Sequence, residues 1–132
     1  MTTLHRTRIK ICGLTREADV DAAVQAGADA VGFVLYDQSP RHVTPERAGE
    51  LARRLPAFVM PVLLFVNASQ EEVSRGCQSV PQALLQFHGD ETPADCEAAQ
   101  RPYLRAARIP TGSPGRDFDL LKYAEDHRAA QA

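Results

Sequence analysis

Five short apolar segments punctuate the chain, and the longer stretches between them place apolar residues every three or four positions. The segments are "RIKIC" (8–12), "AVGFVL" (30–35), "VMPVLLFV" (59–66), "ALLQF" (83–87) and "LRAARI" (104–109). Three of the five are nearly continuous rather than alternating, which is typical of strands buried on both faces of a parallel sheet. The pattern predicts an α/β protein built from strand–helix units.

Helix-start and helix-stop signals fall between these segments. Thr15 is placed to cap a first helix and Gly27 to end it. Thr44 and Pro45 have the order of a cap followed by a first-turn proline, and Pro56 is placed to stop this second helix.

The later helices carry similar signals. "SQEE" (69–72) is a predicted capping box for the third helix, and "TPAD" (92–95) starts the fourth in a similar way. "GSPG" (112–115) is expected to be a loop, with a fifth helix beginning near Asp117.

Alternating strands and helices imply parallel strands joined by right-handed crossovers. Periodicity alone leaves two closures open: a doubly wound sheet, or part of an eight-unit barrel. The 132 residues fit one domain, 1–132, that is large enough to bury a core. Residues 1–7 are expected to form a flexible N-terminal tail.

Charge and composition narrow the function classes. The net charge of -2 comes with no basic block, so no nucleic-acid partner is expected. The N-terminus has no apolar run and no stretch approaches the roughly 20 apolar residues of a membrane span, so neither a signal peptide nor a membrane partner is expected. The three cysteines match no metal motif and indicate reduced thiols in a cytoplasmic protein.

Candidate chemistry is sought at the carboxyl ends of the predicted strands, where parallel α/β folds place their sites. Cys12 ends the first strand just before a helix, where the helix dipole favours the thiolate, so it is a candidate base or nucleophile. The alternative, a small buried plug, is equally weighted. Arg41 offers a fork for a carboxylate, unless it simply pairs with Asp37 or Glu46 in solvent.

Other polar residues at strand ends have weaker cases. His88 follows the fourth strand and either lines a pocket or bonds local backbone. Asp90 and Glu91 are expected to prepare the N-terminus of the fourth helix, and Asn67 to form a turn. His127 is uninformative by position.

Four motifs together resemble the phosphoribosylanthranilate isomerase family, a tryptophan-biosynthesis enzyme built as a TIM (β/α)8 barrel. The motifs are "KICGLT" (10–15), "GFVLYDQSPRHV" (32–43), "VLLFVN" (62–67) and "FHGDE" (87–91). The resemblance runs from about Arg8 to Ile109 and implies an incomplete barrel of about five parallel βα units.

The resemblance also implies a reaction and a set of roles. The family carries out the Amadori rearrangement of phosphoribosylanthranilate, the implied small phosphorylated partner. Cys12 matches the family's general base, Arg41 the arginine that orients the anthranilate carboxylate, and His88 a substrate-binding position. No cofactor and no metal are implied, because both steps are proton transfers.

The resemblance also implies parts that these residues do not supply. The family's general acid is an aspartate ending strand six, and its phosphate grip follows strands seven and eight, whereas the sequence stops at "HRAAQA" (127–132). We therefore expect negligible activity from this chain alone. Unpaired barrel edges predict self-association or binding of a complementary fragment.

Two alternatives stay open. One is a non-catalytic remnant that acts as an assembly module. The other is a different phosphate-binding barrel enzyme, such as an aldolase or epimerase, which would want a lysine or a metal cluster at strand ends. Lys10 lies inside the first strand and Lys122 in a helix, which disfavours this second alternative.

Overall fold

The computed structural model describes residues 5–130 and contains a five-stranded parallel sheet. Its strands are β1 (Lys10–Cys12), β2 (Ala30–Val34), β3 (Met60–Phe65), β4 (Leu84–Phe87) and β5 (Tyr103–Arg105). Each strand pairs with the next in sequence, in the order β1-β2-β3-β4-β5. This order lacks the reversal of a doubly wound sheet and is that of a barrel wall. All carboxyl ends therefore lie along one edge, here called the rim.

Helices separate the strands. They are α1 (Glu17–Gln25), α2 (Pro45–Ala52), α3 (Gln70–Ser79), α4 (Pro93–Glu97), α5 (Ser113–Arg116) and α6 (Leu120–Asp126). The predicted caps of three are confirmed: Thr44 caps α2, and Ser69 with Glu72 and Thr92 with Asp95 form capping boxes. Each box satisfies two backbone N–H groups that a helix start leaves free.

Alternation along the strands divides the sheet into two faces. One face packs against the helices and contributes the main core residues of the strands, which are Val31, Phe33, Leu63, Phe65, Leu85, Phe87 and Tyr103. The residues between them point to the opposite side, here called the inner face. Strand register aligns Cys12, Gly32, Val62 and Leu84 in one row across the inner face.

The first helix differs from its prediction. Thr15 is not the cap: Arg16 holds the N-cap position and provides no side-chain cap hydrogen bond. The Arg16 guanidinium instead donates to Asp19, 2.7 Å away, one turn into the helix. Gly27 follows the helix end with a φ of 90°, so the predicted stop is confirmed.

The end of the described chain also departs from the sequence pattern. The stretch 112–115, predicted as a loop, contains the start of α5, whose first turn carries Pro114. The fifth strand was predicted over 104–109 but ends at Arg105. The N–H of Ala106 still donates to the carbonyl of Phe87 on β4 at 3.0 Å, and the Arg105 side chain donates to the carbonyl of Ala106.

The N-terminal tail predicted over 1–7 lies partly outside the described residues, since 1–4 are not among them. Within it, Arg6 donates to both carboxylate oxygens of Asp29. This contact, with the backbone N–H of Ile9, lowers the pKa of Asp29 to about 2. Flexibility of the tail stays a prediction. None of the helices between residues 5 and 130 combines the length and the apolarity that crossing a bilayer requires.

The fold predicts a large difference between two leucines. Leu51 on α2 is fully buried in the core, whereas Leu121 on α6 is 85% exposed. We expect Leu51→Ala to lower the free energy of unfolding by about 2–5 kcal/mol, because it removes buried methyl groups and leaves a cavity. Leu121→Ala is the matched control, with a change within about 0.5 kcal/mol. Urea denaturation measures both, and equal losses would contradict the core described here.

His127 predicts a pH dependence of stability. It is buried against Tyr123, and burial, reinforced by Arg105, lowers the pKa of His127 from 6.5. The unfolded chain therefore takes up a proton at higher pH than the folded chain, and the free energy of unfolding falls as pH drops below roughly 7. We expect His127→Gln to flatten this fall between about pH 7.5 and about pH 5.5. Denaturation at both pH values checks it, and a variant that keeps the full pH dependence of the parent chain would contradict it.

Candidate active site

The rim brings together two residues that lie 29 positions apart in sequence. Cys12 ends β1, and Arg41 lies in the loop after β2. Arg41 Nη1 donates to the main-chain carbonyl of Cys12 at 3.1 Å. The proposed base and the proposed carboxylate ligand are therefore neighbours at the carboxyl ends of adjacent strands.

The Cys12 side chain lies over a glycine on the inner face. Cys12 pairs with Gly32 across the β1–β2 ladder and is half-buried. A Cβ at Gly32 would lie 2.9 Å from Cys12 Sγ and 3.2 Å from Lys10 Nζ. The absence of a side chain at Gly32 therefore leaves the space that the Cys12 sulfur and the Lys10 ammonium occupy. The sulfur lies on the inner face and is not buried in the core between sheet and helices.

Arg41 is held by its own loop and by a second glycine. Its N–H donates to Ser39 Oγ at 3.1 Å, which stabilises the turn before it. Its guanidinium lies against Gly13, whose φ is 83°, and any Cβ there would overlap the guanidinium. Gly13 is therefore required both for the turn and for the close approach of the arginine.

The guanidinium of Arg41 has no ion-pair partner among residues 5–130. The alternative in which it pairs with Asp37 or Glu46 is not observed, and Glu46 instead lies 3.5 Å from Arg75. Arg41 is exposed at the rim, with donor groups that are available to a carboxylate.

His88 directly follows β4 and lies at the rim, with β3 between it and the strands β1 and β2 that position Cys12 and Arg41. Its backbone N–H donates to the carbonyl of Phe65 at 3.0 Å, and its half-buried imidazole has a buried Nδ1 with no partner among the described residues. Burial lowers the pKa of His88 from 6.5, and the nearby cations of Arg108 and Arg105 lower it further. The imidazole is therefore neutral at neutral pH, with one N–H donor and one acceptor.

An ion pair behind His88 was missed by sequence reasoning. Glu91, predicted to prepare the start of α4, is buried and accepts hydrogen bonds from the backbone N–H groups of Gly89 and Asn67, both at 2.8 Å. Its Oε1 lies 3.6 Å from Arg105 Nη1. That prediction for Glu91 is wrong because the carboxylate turns inward to a buried cation. The spacing of Tyr103 and Arg105 places both on one strand face, which indicates a buried cation but does not identify its partner.

Two further features lie outside this constellation. A depression of about 510 Å³ opens between the loops after β2 and β3, and residues such as Asp37, His42 and Arg75 line it, but Cys12, Arg41 and His88 do not. Between residues 5 and 130, no three His, Cys, Asp or Glu side chains are grouped so as to hold a metal ion.

Comparison with known proteins matches this chain to one protein family. The family model described as N-(5'phosphoribosyl)anthranilate (PRA) isomerase matches residues 9–130. The N-(5'-phosphoribosyl)anthranilate isomerases of Leptothrix cholodnii and Methylibium petroleiphilum are 65% and 64% identical over 127 residues, 96% of this chain. The chain spans 56% and 57% of the length of these relatives.

Solved structures give the same result. A phosphoribosyl anthranilate isomerase in complex with reduced 1-(o-carboxyphenylamino)-1-deoxyribulose 5-phosphate superposes with a TM-score of 0.80 at 34% identity, covering 91% of this chain and 62% of that one. The Thermotoga maritima enzyme, in its form of mutually generated monomers, gives 0.79 at 31% identity, covering 95% and 61%. The predicted barrel family, represented by five parallel βα units, is confirmed. The chain belongs to the N-(5'-phosphoribosyl)anthranilate isomerase family.

Proposed function

We propose that this chain supplies the proton-abstracting and carboxylate-binding part of a phosphoribosylanthranilate isomerase active site in tryptophan biosynthesis. The observation that carries the proposal is the contact between Arg41 and the Cys12 carbonyl at the rim. It fixes a free guanidinium beside a half-buried thiol, as a substrate with both a carboxylate and an acidic carbon–hydrogen bond requires. A solved relative that holds a reduced deoxyribulose phosphate supports the same substrate class.

The reaction consists of two catalysed proton transfers followed by a tautomerisation. A general acid protonates the ribose ring oxygen, the bond from that oxygen to C1 breaks, and the nitrogen lone pair forms a Schiff base. The Cys12 thiolate then takes the proton from C2, and the electrons of that bond flow into the C1–C2 bond to give an enolamine. Tautomerisation yields the aminoketose. Atoms and charge balance without a cofactor or a metal.

The remaining groups serve binding. Arg41 holds the anthranilate carboxylate through a two-pronged hydrogen bond. The neutral His88 donates one hydrogen bond to the substrate from the β4 side of the rim. The resemblance places the general acid and the phosphate-binding loops on βα units six to eight, so the five units described here carry the base half of the site. The proposed setting is the cytoplasm.

Replacing the base tests this proposal. We join residues 1–132 to the remaining length of the Leptothrix cholodnii relative and measure conversion of N-(5'-phosphoribosyl)anthranilate. Cys12→Ser should lower kcat by about 10²- to 10⁴-fold, because the alcohol is a far weaker base than the thiolate. Cys77→Ser, a change on α3 away from the rim, is the matched control and should retain kcat.

Two results would contradict the proposal. Unchanged turnover by Cys12→Ser, with an unchanged melting temperature, would support the alternative of a non-catalytic assembly module. Near-normal turnover by residues 1–132 without the added units would contradict the division of the active site between the two halves.

We also propose that the chain associates with a second copy through its outer strands. Among residues 5–130, β1 and β5 each pair with one strand, which leaves a row of backbone donors and acceptors on the other side. Ile11 of β1 and Ile9, which directly precedes the strand, are also exposed beside this edge, so pairing would bury apolar surface as well.

Sedimentation measures this association. At concentrations of tens of micromolar we expect a weight-average mass well above the 14.4 kDa of one chain. Ile11→Lys, which places a charge on the β1 edge, should shift the distribution toward the monomer. A compact monomer with a cooperative melt at the same concentrations would show that the edges do not pair.

A further inference from the structure

The Arg105 side chain is a buried cation that binds main-chain oxygens at two strand ends. It is 5% exposed. Nη1 donates to the carbonyls of Phe87 and Ala106, at 3.1 and 2.9 Å. Nη2 donates to the carbonyls of Gly89 and Glu91, at 2.8 and 3.2 Å. One guanidinium therefore joins the end of β5 to the loop after β4.

The Glu91 carboxylate binds the same loop through its main-chain N–H groups. Its two oxygens accept the N–H groups of Gly89 and Asn67, and Oε1 lies 3.6 Å from Arg105. Asn67 Oδ1 in turn accepts the N–H of Asp90 at 2.8 Å. The loops after β3 and β4 are thereby fixed to each other around a buried charge pair.

The packing leaves little freedom for this loop. A Cβ at Gly89 would lie 2.6 Å from Asn67 Oδ1, and Asn67 itself holds a φ of 51°. The contacts fall on Phe87 and Gly89, the residues directly before and after His88. The His88 backbone is therefore fixed from both sides.

We propose that Glu91 and Arg105 are positioning residues that hold the His88 imidazole at the rim in a single orientation. The geometry carries this inference, since both charged groups bind the backbone that flanks His88. Only the purpose, presenting the imidazole to substrate, rests on the proposed function.

The charges around His88 agree with such a role. Burial is the main cause of its lowered pKa; Arg108, Arg105 and Lys10 act in the same direction, and Glu91 opposes them. A neutral imidazole can serve as a directed donor only while its ring stays fixed. Loosening the loop would admit water and reverse the effect of burial.

A purely structural role is the competing explanation. Breaking a buried ion pair destabilises many proteins without any effect on a site. The free energy of unfolding would change in both cases. The titration of the His88 imidazole, measured together with stability, distinguishes a positioning role from a purely structural one.

The first experiment follows the NMR titration of the His88 imidazole in the 132-residue chain. Arg105→Lys keeps the positive charge but replaces a five-donor fork with three donors on one atom. We expect the pKa of His88 to rise toward 6.5 as the loop loosens and hydrates. Arg47→Lys is the matched control, since Arg47 also binds a carbonyl and two carboxylates but on α1 and α2, and it should leave the titration unaltered.

A lower melting temperature with an unchanged His88 titration in Arg105→Lys would overturn the proposal. If that variant does not fold, Glu91→Gln decides. The amide has one oxygen for two N–H donors, so exchange at Gly89 or Asn67 should accelerate by about tenfold or more, and the imidazole signal of His88 should broaden.

Glu72→Gln is the control for the second variant, because Glu72 also accepts a backbone N–H, that of Ser69 in the capping box. It should alter neither the exchange nor the imidazole signal. A sharp, unshifted His88 signal in Glu91→Gln, despite faster exchange, would refute positioning. No substrate is present in these measurements, so failure of the isomerase proposal would leave their outcome unchanged.

Discussion

Parallel pairing of each strand with the next is the constraint on which the site depends. It aligns the carboxyl ends, so residues from separate units meet at the rim. The register is as important as the direction. A slip of one residue between β1 and β2 would turn Cys12 from the inner face toward the helices and remove its row partner Gly32. Burial of the opposite face against the helices is what holds this register.

Local chemistry explains which elements were predictable. The caps at Thr44, Ser69 and Thr92 depend on contacts within four residues, and those contacts are visible in the sequence. The Thr15 prediction was wrong because the helix begins one residue later, with Arg16 at the N-cap, and Arg16 pairs with Asp19 instead of capping. Strand identity came from continuous apolar runs, whereas barrel closure came from the family motifs and not from periodicity.

The site shows where sequence reasoning stops. Cys12, Arg41 and His88 could be placed at the rim as candidates, because the carboxyl ends of parallel strands are where chemistry is sought. Glu91 and Arg105 could not be paired in advance, because an ion pair between residues 14 apart depends on how two loops pack. Because Glu91 lies just before a helix, the sequence favoured the local explanation that it stabilises the helix N-terminus, and that explanation was wrong. Burial of the carboxylate distinguishes a helix-start role from a buried ion pair, and burial is known only from the tertiary structure.

Gly32 gives this wall of the barrel an unusual sensitivity to inherited variation. A glycine-to-alanine exchange is normally ranked among the mildest missense changes, and in a strand it even favours order. Here the added methyl group would occupy volume already taken by a sulfur and an ammonium. Alleles with alanine at this codon would therefore be misjudged by scoring schemes that weigh only hydrophobicity or size, since the harm comes from displacing the Cys12 thiol and the Lys10 ammonium together.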